Sequence, residues 1–395
     1  MCTTAVHNAS RCSPRTARKQ GCELMRYLPT LLLTLGLAAC APSSDPASST
    51  SNPATPKSPS TAGSWAAVDQ TLDSYLQSAG GSLSGYGFAA FDRSGVLHTR
   101  FAGDYTADTA IRIASATKVP SAAAILTLVD DGLLDLDEPV ATYIKQAGNP
   151  IVWSIDKRKI TMRMLLAHTS GLPGSGKSEP NCLDQVLSVT LQQCAALIAA
   201  VPVVSPPGRY FNYGGADYQV AGYIATLIAG TDWQTFFNEA IAAPLSLQHF
   251  TYGDPAVVTN PRIAGGANTD VGDYVRIMQM LQNNGRVGST QVLSPASVAV
   301  LKQNQIEGLP ILFAPFTMSA RSNFDGYTLG FWISDASQYP GSPGPEFSDP
   351  GLFGTTPWID DGLGYGAVIL IDDRTQTGLD MWAAVRPLII SIMRQ

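Results

Sequence analysis

Residues 112–144 read RIASATKVPSAAAILTLVDDGLLDLDEPVATYI and change from an irregular start to the apolar periodicity of a helix. At that change stands Ser115-Ala116-Thr117-Lys118, a Ser-x-x-Lys motif. Residues three apart share one helix face, so the lysine can reach the serine hydroxyl. The N–H groups and positive potential of a helix start favour an oxyanion. Ser115 is therefore a candidate nucleophile with Lys118 as its base, and a helix-capping serine is the alternative.

A histidine base is poorly supported by the sequence. The four histidines are His7, which precedes the expected mature chain, and His98, His168 and His249. The chain has no Gly-x-Ser-x-Gly, the nucleophile elbow of the α/β-hydrolases. We therefore expect the serine to use a lysine base.

Six further stretches stand in the order in which a known family carries them. They are LLAHTSGLPG at 165–174, PPGRYFNYGGADYQVAGYI at 206–224, PLSL at 244–247, AGGANTDVGDYVRIMQMLQNNG at 264–285, YTLGFW at 327–332 and GTTPWID at 354–360. Together with residues 112–144 they resemble the class C β-lactamase and penicillin-binding-protein-like serine hydrolases. Several ordered matches are far more specific than Ser-x-x-Lys alone. The resemblance spans roughly residues 65–375 and implies an acyl-enzyme on Ser115.

The second motif of that family is Tyr-x-Asn, whose tyrosine approaches the serine from the helical domain. Alignment on the downstream Tyr218 and Gly222 identifies Tyr213 as the catalytic tyrosine and puts Gly215 in the place of the asparagine. A literal Tyr-x-Asn also occurs at residues 210–212, but that register would misplace the downstream pair. A tyrosine that only packs in the core is the remaining alternative.

The third motif is normally a cation, then Thr or Ser, then Gly, and here the resemblance implies Asp349-Pro350-Gly351. The N–H groups of Ser115 and Leu352 would then form the oxyanion hole, with Gly351 allowing close backbone approach. Neither a cation nor a hydroxyl is present, and Asp349 would repel an anionic substrate unless another cation compensates. These departures favour a family VIII esterase-like member that acts on neutral substrates.

The sequence predicts an α+β fold. Strand patterns cover residues 86–91, 96–101, 327–333, 355–359 and 365–371, and helical patterns cover 122–133, 188–200, 216–229, 233–242, 273–282, 294–303 and 381–393. Strands at both ends with helices between them indicate segregated elements rather than βαβ units. We expect an antiparallel sheet flanked by helices and built from both ends of the chain, residues 64–112 and about 262–395. A mostly helical domain, residues 113–261, is inserted, as in the β-lactamase/transpeptidase-like fold.

Residues 1–40 have the anatomy of a secretory signal peptide. An apolar run at 27–39 is too short for a membrane span and ends Leu-Ala-Ala before Cys40, like a bacterial lipobox. We expect Cys40 to carry lipid; an ordinary signal with a chance cysteine is the alternative. Translation could start at Met25, which leaves residues 1–24 as an extension. Residues 41–63, rich in Pro, Ser and Thr, predict a disordered tether at the periplasmic side of the cell envelope, with the outer membrane as the expected anchor.

Charge and cysteine content limit the classes of partner and of bound group that this chain is expected to have. The chain carries a net charge of −6, and removal of the mostly basic residues 1–40 makes it more acidic. No basic run remains for nucleic acid or anionic lipid. In an oxidising compartment Cys182 and Cys194 form an even pair, so a disulfide is expected, with two buried thiols as the alternative. No histidine lies near them in sequence, so we expect no metal site there.

Residues 171–178, GLPGSGKS, fit the Walker A pattern, but they follow a helical pattern and Pro180 interrupts any helix after them. We therefore expect a polar loop, with no nucleotide and no other cofactor.

The predicted function is a carboxylesterase-like serine hydrolase that acts on a small neutral ester or amide. The alternatives are a β-lactamase or D-amino-acid peptidase with the same serine, and a non-catalytic cell-envelope lipoprotein that binds a partner.

Overall fold

The computed structural model describes residues 62–149, 151–175, 179–316, 324–334 and 341–395. The leader, Cys40, nearly all of the tether and residues 176–178 of the Walker-like string lie outside these ranges, so what we expect of them stays a prediction. Helix α1, Ala62–Ser78, begins within the last two residues of the expected tether. Among the helices of the described ranges, none combines the length and the apolar character that crossing a bilayer requires.

A seven-stranded antiparallel sheet lies at the centre of these residues. Its strands are β1 Gly85–Asp92, β2 Val96–Gly103, β9 Phe324–Tyr327, β10 Trp332–Ser334, β11 Glu346–Ser348, β12 Thr356–Asp360 and β13 Tyr365–Leu370. Across the sheet they stand in the order β2-β1-β13-β12-β11-β10-β9. The short strands pair outside it: β3 Ile111–Arg112 with β5 Asn268–Thr269, β4 Phe211–Asn212 with β8 Ile311–Phe313, and β6 Arg286–Val287 with β7 Thr290–Gln291. Because β1 pairs with β13, the sheet is built from both ends of the chain, which confirms the prediction.

Helices cover both faces of the sheet. Successive strand residues point to opposite faces, so Phe88 packs in the core shared with α1 and with α11, Thr375–Met393, whereas Phe91 packs in the core of the helical region. Every residue of β13 is buried for the same reason. This two-sided burial explains why the β13 segment is a continuous apolar run and does not alternate.

The helical region lies between β3 and β5 in the sequence. Its helices are α2 Lys118–Asp130, α3 Val140–Gln146, α4 Met162–Leu166, α5 Leu191–Ala200, α6 Ala216–Ala229, α7 Trp233–Phe237 and α8 Ala243–Leu245; α9 Val271–Gln282 and α10 Pro295–Lys302 follow β5. Helix α2 is buried from Lys118 to Leu128, because α6, α7 and α10 pack around it. The fold class is therefore the predicted α+β arrangement.

Residues 327–333, predicted as one strand, belong to two strands. Residues 328–331 form a tight turn between β9 and β10, closed by hydrogen bonds in both directions between Thr328 and Phe331. Gly330 has a φ of 132°, a conformation that other residues seldom adopt. The turn is fully buried, so its apolar composition hides it from a strand pattern.

Cys182 and Cys194 are joined by a disulfide, which ties the turn at Asn181–Asp184 to α5. Helix α5 begins three residues later than the pattern predicted. Thr190 and Gln193 form a reciprocal capping box there, and this fixes the first turn of the helix.

Candidate active site

Ser115 lies at a constrained turn in the backbone. Strand β3 pairs with β5, and the Ile113 N–H donates to the Ala267 carbonyl, which holds the chain just ahead of the serine. Ala114 has a φ of 47°, and a 3₁₀ turn at Ala114–Thr117 then leads into α2. A residue with a side chain seldom adopts that conformation. Strain of this kind is held in place by the surrounding structure and concentrates at functional sites.

Lys118 is buried beside the serine. Its Nζ donates to Ser115 Oγ at 3.2 Å and to the Ala264 carbonyl at 2.9 Å. Burial lowers the pKa of Lys118 to about 8, although the negative charges of Asp349 and Glu179 oppose that shift. The neutral amine is then accessible near neutral pH, as a general base requires.

Tyr213 reaches the same serine from the helical region. Its phenol and Ser115 line the same cleft, the serine hydroxyl acts to lower the pKa of the phenol, and Lys118 Nζ lies 4.6 Å from the ring centroid. Burial raises the pKa of Tyr213 well above its ordinary value, so the group is a phenol that can donate a proton. Asn212, from the alternative register, instead donates to the Leu172 carbonyl. The structure thus brings the three predicted catalytic side chains together.

His168 packs behind Tyr213, with ring centroids 4.6 Å apart. Its Nδ1 pairs with the carboxylate of Asp217, which also accepts a hydrogen bond from the Ser170 hydroxyl. Burial lowers the pKa of His168 well below its ordinary value and keeps the ring neutral. Ser170, His168 and Asp217 meet here. Within the described ranges, however, His168 forms no hydrogen bond with Ser170 or with Ser115. The group supports Tyr213 and is not a catalytic triad.

Gly351 approaches the nucleophile turn so closely that a Cβ there would stand 2.2 Å from the Ile113 carbonyl oxygen. Only glycine fits such an approach. Leu352 follows at the cleft mouth, where 64% of it is exposed. Within the described part of the chain, the N–H groups of Ser115 and Leu352 donate to no backbone carbonyl. Both are therefore available to an oxyanion, and their role as its binding site stays a prediction.

Asp349 does not face the cleft. Its side chain is fully buried, and Oδ2 accepts from the Val119 N–H at 3.3 Å, at the start of α2, where the helix dipole favours an anion. Burial raises the pKa of Asp349 well above its ordinary value, with Lys118 opposing. Pro350 lines the cleft in its place. The prediction that Asp349 faces the substrate is therefore wrong, because its carboxyl is buried and does not line the cleft.

Glu179 occupies the space beside the missing asparagine of the second motif. A Cβ on Gly215 would lie 3.2 Å from Glu179 Oε1, and that oxygen accepts the N–H groups of Gly215 and Ala216 at the start of α6. The carboxylate thus satisfies donors at a helix N-terminus. Sequence reasoning missed Glu179, because nothing in its own loop indicates that it meets residues about 36 positions further along the chain.

The cleft above Ser115 has a volume of about 550 Å³. The described residues that line it are Ser115, Ser175, Tyr213, Arg262, Phe313, Pro315, Phe316, Pro350, Leu352, Thr375, Gln376 and Leu379. Of these, Arg262 carries the charge, and sequence reasoning missed it because only the fold brings residue 262 to the cleft. The remaining walls are mostly apolar and suit an acyl chain.

His249, Asp270 and Asp273 are described residues whose ligand atoms come within 4.8 Å of one another. His249 Nδ1 already pairs with Asp270, which caps α9. Asp273 Oδ2 accepts three backbone N–H groups, those of residues 248–250. Because both carboxylates hold the start of α9 and the adjoining loop, we assign no metal to this group.

Comparison with known proteins agrees with this geometry. The Beta-lactamase family model matches residues 68–387. Penicillin-binding protein 4 of Amycolatopsis lactamdurans is 28% identical over 242 residues, which cover 54% of this chain and 62% of that protein. The esterase/beta-lactamase LipL of Mycobacterium tuberculosis is 30% identical over 165 residues, which cover 40% of this chain and 35% of LipL.

Solved structures extend the likeness over most of the described fold. A candidate beta-lactamase from Bacteroides dorei superposes with a TM-score of 0.69 at 26% identity, covering 84% of this chain and 99% of that one. EstCE1, a hydrolase with promiscuous acyltransferase activity, gives a TM-score of 0.65 at 18% identity over 82% of this chain and 98% of its own, a likeness of fold alone. With the family match over most of its length, this chain belongs to the Beta-lactamase family of serine hydrolases.

Proposed function

We propose that this chain is an active serine hydrolase that transfers the acyl group of a small ester or amide to Ser115 and then to water. One observation carries the proposal: Lys118 Nζ lies 3.2 Å from Ser115 Oγ and 4.6 Å from the ring centroid of Tyr213, which lines the same cleft as the serine. A nucleophile, a base that is partly neutral and a proton-donating phenol are the groups that acyl transfer needs.

In this mechanism, neutral Lys118 takes the Ser115 proton as Oγ attacks the acyl carbon. The N–H groups of Ser115 and Leu352 hold the oxyanion of the tetrahedral intermediate. The Tyr213 phenol gives its proton to the departing alcohol or amine and is reprotonated by Lys118. Water then attacks the acyl-enzyme, the same pair takes its proton, and the collapse releases a carboxylic acid and the free serine.

The value of kcat/KM on a neutral ester is expected to rise about tenfold per pH unit up to about pH 8 and to be constant above that pH. Lys118 acts only as the neutral amine, and its pKa is lowered to about 8, so the active fraction grows as the pH rises towards that value. Rates on p-nitrophenyl butyrate between about pH 5.5 and 10 measure this, with corrections for spontaneous hydrolysis. A profile flat from about pH 6 to 9 would contradict the assignment of Lys118.

Tyr213→Phe is expected to lower kcat by about 10²- to 10⁴-fold on an alkyl ester, because the alkoxide then departs without a proton donor. The loss should be much smaller on a p-nitrophenyl ester, whose leaving group is stable as an anion. The measurement compares ethyl butyrate with p-nitrophenyl butyrate for the variant and the parent protein. Equal losses on both esters would show that Tyr213 does not protonate the leaving group.

An ester is the substrate class that the cleft supports best. Phe313, Phe316 and Leu379 give it an apolar wall, and Pro350 offers neither the ammonium nor the hydroxyl that the third motif usually presents to a β-lactam carboxylate. LipL, an esterase/beta-lactamase relative, agrees with this choice. Of the departures that favoured a neutral substrate, the placement of Asp349 in the cleft is wrong, whereas the missing cation and hydroxyl of the third motif remain.

A β-lactamase or D-amino-acid peptidase activity of the same serine is the second candidate, supported by the match to penicillin-binding protein 4. Nitrocefin turnover and a penicilloyl adduct on Ser115 would separate it from an esterase. Transfer of the butyryl group to added butanol would indicate an acyltransferase, the activity named for EstCE1. If a fluorophosphonate leaves Ser115 unlabelled, a non-catalytic binding lipoprotein becomes the better explanation.

A further inference from the structure

Arg262 gives the cleft its charge at the surface that a substrate touches. The other described lining residues are neutral at physiological pH, and most of them are apolar. Lys118 lies below the surface, buried against Ser115, and its Nζ is held by the Ala264 carbonyl. A guanidinium is the charged member of the few polar groups that fix which ligands fit such a cleft.

Arg262 is held close to the reacting groups. It stands two residues before Ala264, whose carbonyl accepts the Lys118 ammonium. Its positive charge also contributes to the lowered pKa of Lys118. The same turn of chain therefore fixes the base and presents the guanidinium, so a ligand bound through Arg262 lies in the same cleft as Ser115 Oγ.

The present partner of Arg262 can be exchanged. Its Nη1 pairs with Asp184 Oδ1 at 2.7 Å, but the Asp184 side chain is 75% exposed and that of Arg262 is 41% exposed. An ion pair with this much exposure to water contributes little to stability. A guanidinium has five N–H donors, so a single carboxylate does not exhaust it. A second anion can therefore join or replace Asp184 at small cost.

We propose that Arg262 is a specificity-determining residue that recognises a carboxylate on the ester substrate, on either its acyl or its alcohol portion. The proposal rests on the acyl transfer by Ser115 proposed above. Arginine pairs with a carboxylate through two parallel hydrogen bonds, and the apolar walls hold the carbon chain between the two ends of the substrate. With Asp349 buried away from the cleft, the charge that an anionic substrate meets on the described lining is that of Arg262.

The test compares two matched ester pairs at low ionic strength, where charge recognition is least screened. The acyl pair is mono-p-nitrophenyl succinate and the neutral methyl p-nitrophenyl succinate. The alcohol pair is 4-acetoxybenzoate and its neutral methyl ester. The parent protein should prefer the anionic member of one pair, which shows the portion that carries the carboxylate. For that pair, Arg262→Gln should lower the anionic-to-neutral ratio of kcat/KM about 10- to 100-fold.

Two further variants sharpen the test. Asp184→Asn removes the competing carboxylate and should raise the same ratio about twofold or more. Arg93→Gln is the control: it removes one positive charge, as Arg262→Gln does, but at an exposed turn between β1 and β2. It should leave the ratio unaltered. If Arg262→Gln instead slows both members equally, Arg262 only holds its turn in place, and the proposal is overturned. A preference of the parent protein for both neutral members also overturns it.

Failure of the proposed function gives a different result. In that case the parent protein hydrolyses no member of either pair in a Ser115-dependent manner. Calorimetric binding of monoethyl succinate and of 4-acetoxybenzoate to Ser115→Ala then decides the role of Arg262 by itself. The proposal is supported if adding Arg262→Gln to Ser115→Ala abolishes this binding. It is overturned if the double variant binds as tightly as Ser115→Ala, or if Ser115→Ala itself shows no binding.

Discussion

Ser115→Ala is expected to lower kcat/KM on p-nitrophenyl butyrate by about 10⁴-fold or more. The variant lacks the oxygen that forms the acyl-enzyme, so Lys118 and Tyr213 have no nucleophile to activate. What remains is substrate binding and the two N–H groups, which give only a small residual acceleration. Initial rates with purified protein, corrected for spontaneous hydrolysis, measure the loss.

Folding must be separated from chemistry in that measurement. Ser115→Ala removes one oxygen at a half-exposed position, so circular dichroism and Tm should match the parent protein. Ser82→Ala, on an exposed turn after α1, is the matched control and should keep full activity. Full activity of Ser115→Ala would contradict the mechanism, and the buried Ser170 would not explain it, because its hydroxyl donates to Asp217.

Arg386→Met is expected to lower the free energy of unfolding by about 3–5 kcal/mol at about pH 8. Arg386, on α11, pairs through Nε with Glu346 on β11, and both side chains are almost fully buried. Burial raises the pKa of Glu346 to about 7, even though Arg386 opposes the shift. Without Arg386 the pKa of Glu346 rises further, so at pH 8 the folded variant must either bury an unpaired carboxylate or bind a proton that the parent protein does not bind.

The pH dependence gives this second prediction its sign. Below about pH 7 the folded parent protein also holds the Glu346 proton, so parent and variant then bury the same neutral carboxyl, whereas above that pH only the variant must bind a proton or strand a charge. The loss caused by Arg386→Met should therefore be smaller at about pH 5.5 than at about pH 8. Urea unfolding at both pH values measures it, and Glu346→Leu combined with Arg386→Met should recover most of the stability. An equal loss at the two pH values, with no recovery, would contradict this account.

The sequence predicted the architecture of the described residues where a single element carries its own signal. The strand patterns predicted β1 and β13, the latter from a continuous apolar run. Apolar patterns of period 3.6 predicted the helices α2, α6 and α9. Strand β11 was missed, because Glu346–Ser348 is short and contains a buried glutamate whose ion-pair partner in the described residues, Arg386, lies on α11. The helix expected over 233–242 changes at Asn238 to π-helical geometry, which no periodicity of 3.6 predicts.

The site shows the same division between local and long-range information. The Ser115–Lys118 contact follows from their spacing of three on one helix face, and the ordered family motifs identified Tyr213. The burial of Asp349 could not be predicted, because it depends on the start of α2, about 230 residues earlier in the chain. Glu179 and Arg262 were missed for a related reason: each reaches the site from a loop whose own sequence carries no motif.

The most direct measurement of the central claim is peptide mapping by mass spectrometry after a rapid acid quench during turnover of p-nitrophenyl butyrate. The account predicts one butyryl group per chain, on the peptide that contains Ser115 and on no other, with Tyr213→Phe still forming the adduct. The same mapping after fluorophosphonate treatment should label the same residue. A butyryl group on Ser170, on Ser175 or on any residue other than Ser115 would contradict the account, as would turnover without any adduct together with an unlabelled Ser115.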